Sequence, residues 1–500
     1  MSKKTLFFSL IIILVGRISS AQEMYGFVNS NYAGITGIQM NPTSIVNSKL
    51  YFDSNLIGAH LSVDNNFIYL ARNEYKFSRF LSVSSQFPKH GEDDRVYYDY
   101  YNQDLKNAYA QIKIIGPALM YSKNDKAFGI STSIRNIVSA KDIPYEIAKF
   151  GAEGFDYYPL HRIRFTDNHP FRAGALSFGE VAATYAQVIR KQNREHWTAG
   201  ITLKGLFGFG GAYWNVDNAD YMLPNGDTMI VYNANGKAGI SIPMDYSNND
   251  VLFPGQLLSG MGVGADIGIT YQLKVKGHTN KRYAACEQPF EDYHFKIGVS
   301  LIDFGYVNFN KRPKQIELKD AQGTWYDFTN QNIETFDVLF GAVSGTFGPD
   351  SSALITTESF KIFLPSALSA QFDYRYNERI YINASIVHPL VLNDKTLVRP
   401  STISLTPRYE SDRFEVAVPI TLYEYLYPRI GLSFRFSKII IGTDKLGGFF
   451  GLHDFTGMDL YFMVKFPLIK GHCLGKGRGM TCGNSEYRQY QRDMKRLKVR

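Results

Sequence analysis

Runs of alternating apolar and polar residues recur along much of the chain. In residues 263–275 one parity reads Val, Ala, Ile, Ile, Tyr, Leu, Val and the other reads Gly, Asp, Gly, Thr, Gln, Lys. Residues 293–301 have the same design, with Tyr293 and Phe295 on the apolar face and His294 and Lys296 on the polar face. This alternation is typical of β-strands with one apolar face. The lengths suit tilted strands that cross a bilayer, which need about 9–11 residues.

More runs of this kind predict the fold class. Residues 368–376 and 380–386 alternate on either side of a turn at 377–379, which predicts a β-hairpin. Other candidate strands lie near residues 50–70, 110–120, 128–135, 180–190, 199–209, 414–422, 430–436, 438–442 and 460–466. Together they predict an all-β protein, a transmembrane antiparallel β-barrel of about 14 strands with long loops and a short C-terminal tail. A soluble β-sandwich, whose strands also alternate, is the alternative.

Irregularities in the pattern predict bulges and loops. Pro419 removes a backbone donor from an otherwise regular run, so we expect a bulge there. A parity switch between Leu301 and Ile302 predicts a second one. The stretches 137–178, 210–260 and 311–362 break the strand rhythm and are too long for periplasmic turns. We expect them to form extracellular loops or inward-folding plugs.

The N-terminus predicts export. Lys3 and Lys4 precede an apolar stretch, and small residues precede an expected cleavage before Gln22, so residues 1–21 are predicted to be a signal peptide. Beyond it, no apolar run approaches the roughly 20 residues of a transmembrane helix. We therefore expect residues 22–469 to form an outer-membrane β-barrel that includes an N-terminal plug-like segment.

The charge of +8 belongs to the termini. Outside residues 1–21 and 470–500, the chain has 42 basic and 44 acidic residues, which argues against a nucleic-acid-binding groove. Residues 470–500 are predicted to be a basic periplasmic tail, with Tyr487 and Leu497 on one stripe of a short amphipathic helix. Such a helix would bind a periplasmic protein or an anionic surface, and a disordered tail is the alternative.

The tail also holds two of the three cysteines. Cys473 and Cys482 flank a Gly-rich stretch in an exported chain, which predicts a small disulfide loop and leaves Cys286 unpaired.

Several short motifs resemble a known family. They are Asn-Tyr-Ala-Gly at 31–34, Asn-Pro-Thr-Ser at 41–44, Ile-Gly-Thr-Asp at 441–444 and Asp-Leu-Tyr-Phe at 459–462. In these motifs the chain resembles an uncharacterised Bacteroidota family of outer-membrane β-barrels, a domain of unknown function. The resemblance extends over most of residues 25–468 and implies a barrel but no particular activity.

A more distant resemblance concerns the Asn-Pro-Thr segment alone. It is similar to the Asn-Pro-Ala hatch sequence of long-chain fatty-acid transporter barrels and of the type IX secretion shuttle barrel. That resemblance implies 14 strands and an N-terminal plug that contains Asn41 and Pro42, although Thr43 replaces the usual Ala. An ordinary turn before the first strand is the alternative.

The sequence shows no catalytic or cofactor motif. There is no Gly-x-Ser-x-Gly elbow, no complete phosphate-binding loop and no paired-histidine metal motif. We therefore expect a transport or envelope-assembly component without catalytic activity, cofactor or metal. An outer-membrane lipid hydrolase or protease with a site on the barrel rim is the alternative. Polar residues predicted to line the lumen are Asp266, Lys274, His294, Lys296, Asp373 and Arg375.

Overall fold

The backbone closes on itself through antiparallel strand pairing. A computed structural model describes residues 23–74, 96–251, 256–279, 291–328, 335–347 and 355–469. Fourteen strands in this part of the chain each pair with the next, and the last pairs with the first from Leu50↔Ile469 to Asp64↔Gly457. The predicted antiparallel barrel and its strand number are therefore confirmed.

The strands alternate in direction around the barrel. They are β1 (Leu50–Asn65), β2 (Lys106–Lys123), β3 (Lys126–Ile143), β4 (Phe171–Gln192), β5 (Glu195–Asn225), β6 (Gly260–Thr279), β7 (Glu291–Phe309), β8 (Phe360–Phe363 and Ala367–Arg375), β9 (Ile380–Pro389), β10 (Thr402–Glu410), β11 (Phe414–Ala417 and Ile420–Tyr423), β12 (Tyr427–Ile430 and Leu432–Phe436), β13 (Ile439–Thr443) and β14 (Gly457–Ile469). The predicted hairpin at 377–379 joins β8 to β9 and is confirmed.

The two ends of the barrel differ. At the turn end, where β1 begins and β14 ends, strands are joined by short connections at residues 124–125, 193–194, 376–379, 411–413 and 437–438. At the opposite end, the loop end, most connections are long. They contain the strands Ile68–Tyr69, Tyr98–Asp99, Arg164–Asp167, Thr228–Ser241, Lys314–Trp325 and Ile355–Thr356, and the helices Tyr145–Glu153, Tyr158–Leu160 and Phe336–Phe347.

The predicted loop boundaries at 137 and 210 are wrong, whereas the one at 311 agrees with the end of β7 at Phe309. The strand β3 continues to Ile143, and β5 continues to Asn225. These strands extend because their backbone groups have partners at the loop end. The end of β3 pairs with β2 and β4, and the distal half of β5 pairs with Thr228–Ser241, which in turn pairs with Lys314–Trp325. Polar residues in these extensions hide the alternation on which the prediction depended.

The apolar parity of the strands faces outward. In β6, Val263 is 62% exposed and Ile267 is 54% exposed, whereas Asp266 and Gln272 on the other parity are buried. An outward apolar surface around a polar interior is the arrangement of membrane-spanning barrels. Within the described part of the chain, no helix has both the length and the apolar character needed to cross a membrane.

The parity switch at Leu301 and Ile302 is a β-bulge, as predicted, whereas the predicted bulge at Pro419 is wrong, because β11 keeps one register with β10 on both sides of it. Ala265 pairs with Phe304 and Ile267 pairs with Leu301, so Ile302 and Asp303 together oppose the single residue Asp266. This β-bulge turns the Asp303 side chain into the barrel, with Asp303 at a φ of 54°. The strand β11 is interrupted at Pro419, whose carbonyl oxygen accepts a hydrogen bond from the Gly431 N–H at 2.7 Å.

Residues 23–49, here called the inner segment, lie inside the barrel. They contain a 3-10 helix, Gly34–Gln39, and one short α-helix, Ser44–Asn47. Their apolar side chains pack in three groups against inward-facing residues of the wall. Examples are Ile35 beside Met120, Phe27 beside Met463, and Val28 beside Val387.

Candidate functional site

The Asn41-Pro42-Thr43 turn sits in a recess of the barrel wall. The Asn41 side-chain oxygen accepts hydrogen bonds from the Thr43 N–H (3.0 Å) and the Thr43 hydroxyl (2.8 Å), which fixes the turn. The Asn41 amide donates to Gln371 of β8 at 3.1 Å. The Thr43 and Thr270 hydroxyl oxygens lie 2.5 Å apart. The turn is therefore bound to strands on the wall by its polar atoms.

Glycines make this recess. A Cβ atom on Gly200 would lie 2.9 Å from the Pro42 carbonyl carbon, and a Cβ on Gly268 would lie 2.9 Å from Asn41 Cγ. A Cβ on Gly298 would lie 2.9 Å from Asn41 Nδ2. These three glycines are on the adjacent strands β5, β6 and β7. Because real Cβ atoms do not approach so closely, the turn can occupy this position only where the wall lacks side chains.

Buried carboxylates hold the rest of the inner segment. Hydrogen bonds run from the Tyr25 N–H to Asp444 (2.7 Å), from the Ser30 hydroxyl to Glu415 (2.9 Å), from the Asn31 N–H to Glu410 (3.1 Å) and from the Ile35 N–H to Asp53 (3.0 Å). Burial and the neighbouring carboxylate of Asp459 raise the pKa of Asp444, which follows β13, well above its usual range. The inner segment is thus bound to several sides of the interior by polar contacts.

Cations compensate three of these carboxylates. Asp53 pairs with Lys465 (2.8 Å), Glu410 with Arg408 (2.6 Å) and Glu415 with Arg435 (2.9 Å), and all six side chains are buried. Paired and hydrogen-bonded charges are the form in which ionised groups are retained in a protein interior. At the end of the inner segment, Lys49 also pairs with Glu410 at 3.1 Å.

A second ionic group surrounds Asp303. The Arg135 guanidinium donates two hydrogen bonds to the Asp303 carboxylate (2.8 and 2.9 Å), and Lys204 (2.7 Å) and Arg399 (2.6 Å) donate to the same carboxylate. Arg399 also donates to Glu23, the first described residue of the inner segment, at 2.8 Å. We call Asp303, Arg135, Lys204 and Arg399 the Asp303 cluster. It connects three strands of the wall and the connection before β10 with the inner segment.

The interior cavities next to the inner segment are small. One of about 50 Å³ lies between residues 35–39 and the Asp303 cluster, and another of about 40 Å³ lies beside Asn41. Cavities of this size hold a few water molecules. Neither of these two cavities has room for a larger solute.

A much larger cavity, of about 630 Å³, opens at the loop end. Its floor is formed by Arg429 and Lys445, which both bind Asp64. Burial lowers the pKa of the Lys445 ammonium to about 8, against the attraction of Asp64. We call this space the loop-end cavity.

The structure brings some of the predicted lumen residues together. Asp266 is buried next to the Asp303 cluster, where its carboxylate lies 2.8 Å from the Lys204 ammonium. Asp373 is fully buried, with Lys296 at 3.1 Å and Arg408 at 2.7 Å. Arg375 lies near the turn end and pairs with Asp292 at 2.7 Å.

Two others are placed differently. Lys274 is only partly buried, and its backbone pairs with Arg194 near the turn end. His294 is exposed instead of facing the interior. The reason is an irregularity in which Leu273 pairs with Phe295 and Lys274 pairs with Tyr293, so that His294 is an extra residue. Tyr293, which the alternation placed on the apolar face, is instead fully buried, and its hydroxyl donates to Asp373 at 2.9 Å.

The three cysteines Cys286, Cys473 and Cys482 lie outside the described residues, as do the predicted signal peptide and tail.

Among the described residues, no group of three or more His, Cys, Asp or Glu side chains is arranged to hold a metal ion. An Asp/His pair of the kind that the enzyme alternative requires, His60 with Asp459 at 3.1 Å, is buried in the interior instead of lying at the rim.

Sequence reasoning missed the centre of the Asp303 cluster. In the sequence, Asp303 interrupts an apolar run directly after the parity switch at Leu301 and Ile302. A carboxylate at a predicted bulge was the available signal that this residue turns inward. Arg135 and Arg399 gave no comparable signal, because their partner is 168 and 96 residues away in the chain.

The fold and the interior define a class of protein: a closed 14-stranded β-barrel whose N-terminal segment is bound within its lumen. The chain belongs to the family of unknown function DUF5723, whose model matches residues 42–444. A sequence comparison with curated proteins finds no match.

Solved structures that resemble the chain include three barrels. The Ralstonia pickettii toluene transporter TbuX has 10% identity and a TM-score of 0.39, with 91% of this chain and 100% of that one covered. The P. putida toluene transporter TodX has 8% identity and a TM-score of 0.34, with 87% and 92% covered. A Pseudomonas aeruginosa FadL homologue has 6% identity and a TM-score of 0.24, with 91% and 99% covered. The fold described above depends on the strand pairing of this chain itself.

Proposed function

We propose that the protein is an outer-membrane β-barrel without catalytic activity that passes a small polar solute when its inner segment moves. The observation that carries the proposal is the binding of the Asn41-Pro42-Thr43 turn in the glycine recess, with cavities of only about 50 and 40 Å³ beside the inner segment. In this arrangement the inner segment acts as a plug. Transport requires the plug to leave part of its binding surface.

The chemistry of the interior favours a polar solute. The contacts that hold the plug include hydrogen bonds and ion pairs to buried side chains such as Glu410, Glu415 and Asp53. When the plug moves, water or solute groups must replace these contacts, because a buried polar group without a partner is costly. A wall of paired charges supplies partners to a hydrated solute but not to a hydrocarbon.

The orientation follows from the lengths of the connections. Outer-membrane barrels have short periplasmic turns and longer extracellular loops, so the turn end would face the periplasm and the loop end the exterior. The strand β14 ends at Ile469 on the turn end. This supports the proposal that the basic tail, residues 470–500, binds a partner protein in the periplasm.

A disulfide lock tests the moving plug. In a variant without native cysteines (C286S, C473S and C482S), Thr43→Cys and Thr270→Cys would place two thiols where hydroxyl oxygens now lie 2.5 Å apart. We expect ion conductance in planar bilayers after reduction and its loss after oxidation. Each single-cysteine variant is the control and should conduct under both conditions.

Two results would contradict the proposal. If the double-cysteine variant conducts equally well when oxidised and when reduced, ions pass without movement of the plug. If the reduced protein and the wild type neither conduct nor admit sugars in liposome swelling, the barrel is not a passage. The filled interior would then favour the alternative role of an envelope-assembly component.

A further inference from the structure

The loop-end cavity has the dimensions of a ligand site. Its volume of about 630 Å³ falls within the range of about 300–1,000 Å³ typical of small-molecule sites. Its lining comes from the loop ends of β1, β2, β11 and β12 and from the connections before β2, between β11 and β12, and before β14. The floor is fixed, because Asp64 receives hydrogen bonds from both Arg429 and Lys445. The cavity is therefore bounded by several separate segments above a rigid ionic base.

The charges of the lining cancel. Three cationic and three anionic side chains line the cavity: Arg72, Arg429, Lys445, Asp104, Glu424 and Asp454. Arg429 and Lys445 are already bound to Asp64, and Glu424 pairs with Lys141 at 3.1 Å. A cleft that concentrates an ion needs an excess of one sign of charge. This cavity has none, so its geometry does not favour a strongly charged ligand.

The lining combines apolar and polar groups. Apart from tyrosines, its apolar members are Leu452 and Pro428. The aromatic residues are Tyr100, Tyr423 and Tyr427, which offer both a ring face and a hydroxyl group. Amphipathic rings together with amide and carboxylate groups match a ligand that is neutral, rich in hydroxyl groups and apolar on its ring faces.

Two tyrosines are placed for such a ligand. Tyr100 is supported from one side by Tyr69, with ring centroids 4.3 Å apart, and its hydroxyl lies 3.5 Å from the Asp454 carboxylate. Burial and the charge of Asp454 raise the pKa of Tyr100 to about 12. Tyr427 is 43% exposed at the edge of the cavity. Asn102, also exposed, lines the same cavity, where its carboxamide donates to Asp104 at 2.8 Å and accepts from Lys106.

We infer that the loop-end cavity binds a neutral oligosaccharide. The C–H faces of the sugar rings would stack on Tyr427 and Tyr100, and the hydroxyl groups would bind Asn102 and Asp454. The inference rests on the proposed function at one point, the orientation of the barrel, which decides from which side of the membrane the ligand arrives. Binding itself does not require the plug to move, so the cavity would equally serve a receptor that passes nothing.

Binding is measured on the full-length protein in a detergent without a sugar head group, such as an amine oxide. Maltohexaose, xylohexaose and cellohexaose are titrated by calorimetry and by saturation-transfer NMR, beside toluene and an oligogalacturonate. We expect at least one of the three neutral sugars to bind with a Kd of about 1 mM or lower. We expect Tyr427→Ala and Asn102→Ala each to weaken that binding by about tenfold.

The matched control is Tyr376→Ala. Tyr376 is 69% exposed but lies in a turn at the opposite end of the barrel, so its loss should leave binding unchanged. Three results would overturn the inference: none of the neutral sugars binds, the bound sugar is unaffected by both cavity variants, or toluene or the charged oligomer binds there instead. Failure of the conductance experiment with sugar binding retained would reject only the transport proposal.

Discussion

Arg135 of β3 and Asp303 of β7 form a two-point contact inside the barrel, with guanidinium nitrogens 2.8 and 2.9 Å from the carboxylate oxygens. The residues are 168 positions apart in the chain, and the contact exists because the bulge opposite Asp266 turns Asp303 inward. Bidentate pairs of this kind add geometric specificity as well as energy. The bulge in β7 therefore positions the carboxylate that binds all three cationic side chains of the Asp303 cluster.

Removing the charge of Asp303 should destabilise the barrel strongly. Asp303→Asn keeps the shape and tolerates a positive φ, but it leaves Arg135, Lys204 and Arg399 without their shared anion. We expect a loss of about 3–5 kcal/mol in the free energy of unfolding, measured by urea titration of the protein refolded in lipid vesicles.

The control for this prediction is an exposed ion pair. Asp125 contacts Lys191 with both side chains more than 40% exposed. Asp125→Asn should cost no more than about 1 kcal/mol. A similar effect of the two substitutions would show that the Asp303 cluster does not stabilise the fold more than a surface pair does.

A methyl group in the glycine recess should loosen the plug. A Cβ on Gly268 would lie 2.9 Å from Asn41 Cγ, so Gly268→Ala should displace the turn and raise bilayer conductance above the wild-type value. In Gly205→Ala, on the neighbouring strand β5, the new Cβ would approach no closer than 3.8 Å to the Val181 carbonyl oxygen. That control should conduct like the wild type. Equal conductance of all three proteins would contradict the role of the recess in closing the lumen.

A charge on the outer apolar surface should impair membrane folding. Leu203 of β5 is 60% exposed in a row of outward apolar residues that includes Ile201. We expect Leu203→Lys to cost about 2–4 kcal/mol if it lies near the bilayer midplane, seen as a reduced yield of folded barrel in vesicles. Leu426 is 72% exposed but lies in a loop-end connection, so Leu426→Lys should fold normally. Equal yields would argue that this surface does not face lipid.

The alternation of residues was sufficient to predict the barrel, its strand number and the hairpin at 377–379. One of its failures has a local cause. At His294 one extra residue reverses the parity, so that Tyr293 points inward. Backbone pairing at a bulge depends on the partner strand, and periodicity within a single strand does not report it.

The interior was less predictable than the wall. The Asp303 cluster combines side chains from β3, β5, β7 and the connection before β10. The glycines of the recess belong to three strands and are explained only by the turn that they accommodate. Such arrangements arise because closure of the sheet brings distant segments of the chain together. A single sequence does not show which distant residues will be in contact.

The most direct test of the central claim is gel mobility. The chain with its own N-terminal sequence is expressed in a Gram-negative host, the outer membrane is isolated, and samples are run with and without boiling. A closed barrel in the membrane predicts recovery in that fraction and a change in mobility on boiling. Recovery as a soluble protein with the same mobility under both conditions would contradict the barrel and favour the sandwich alternative.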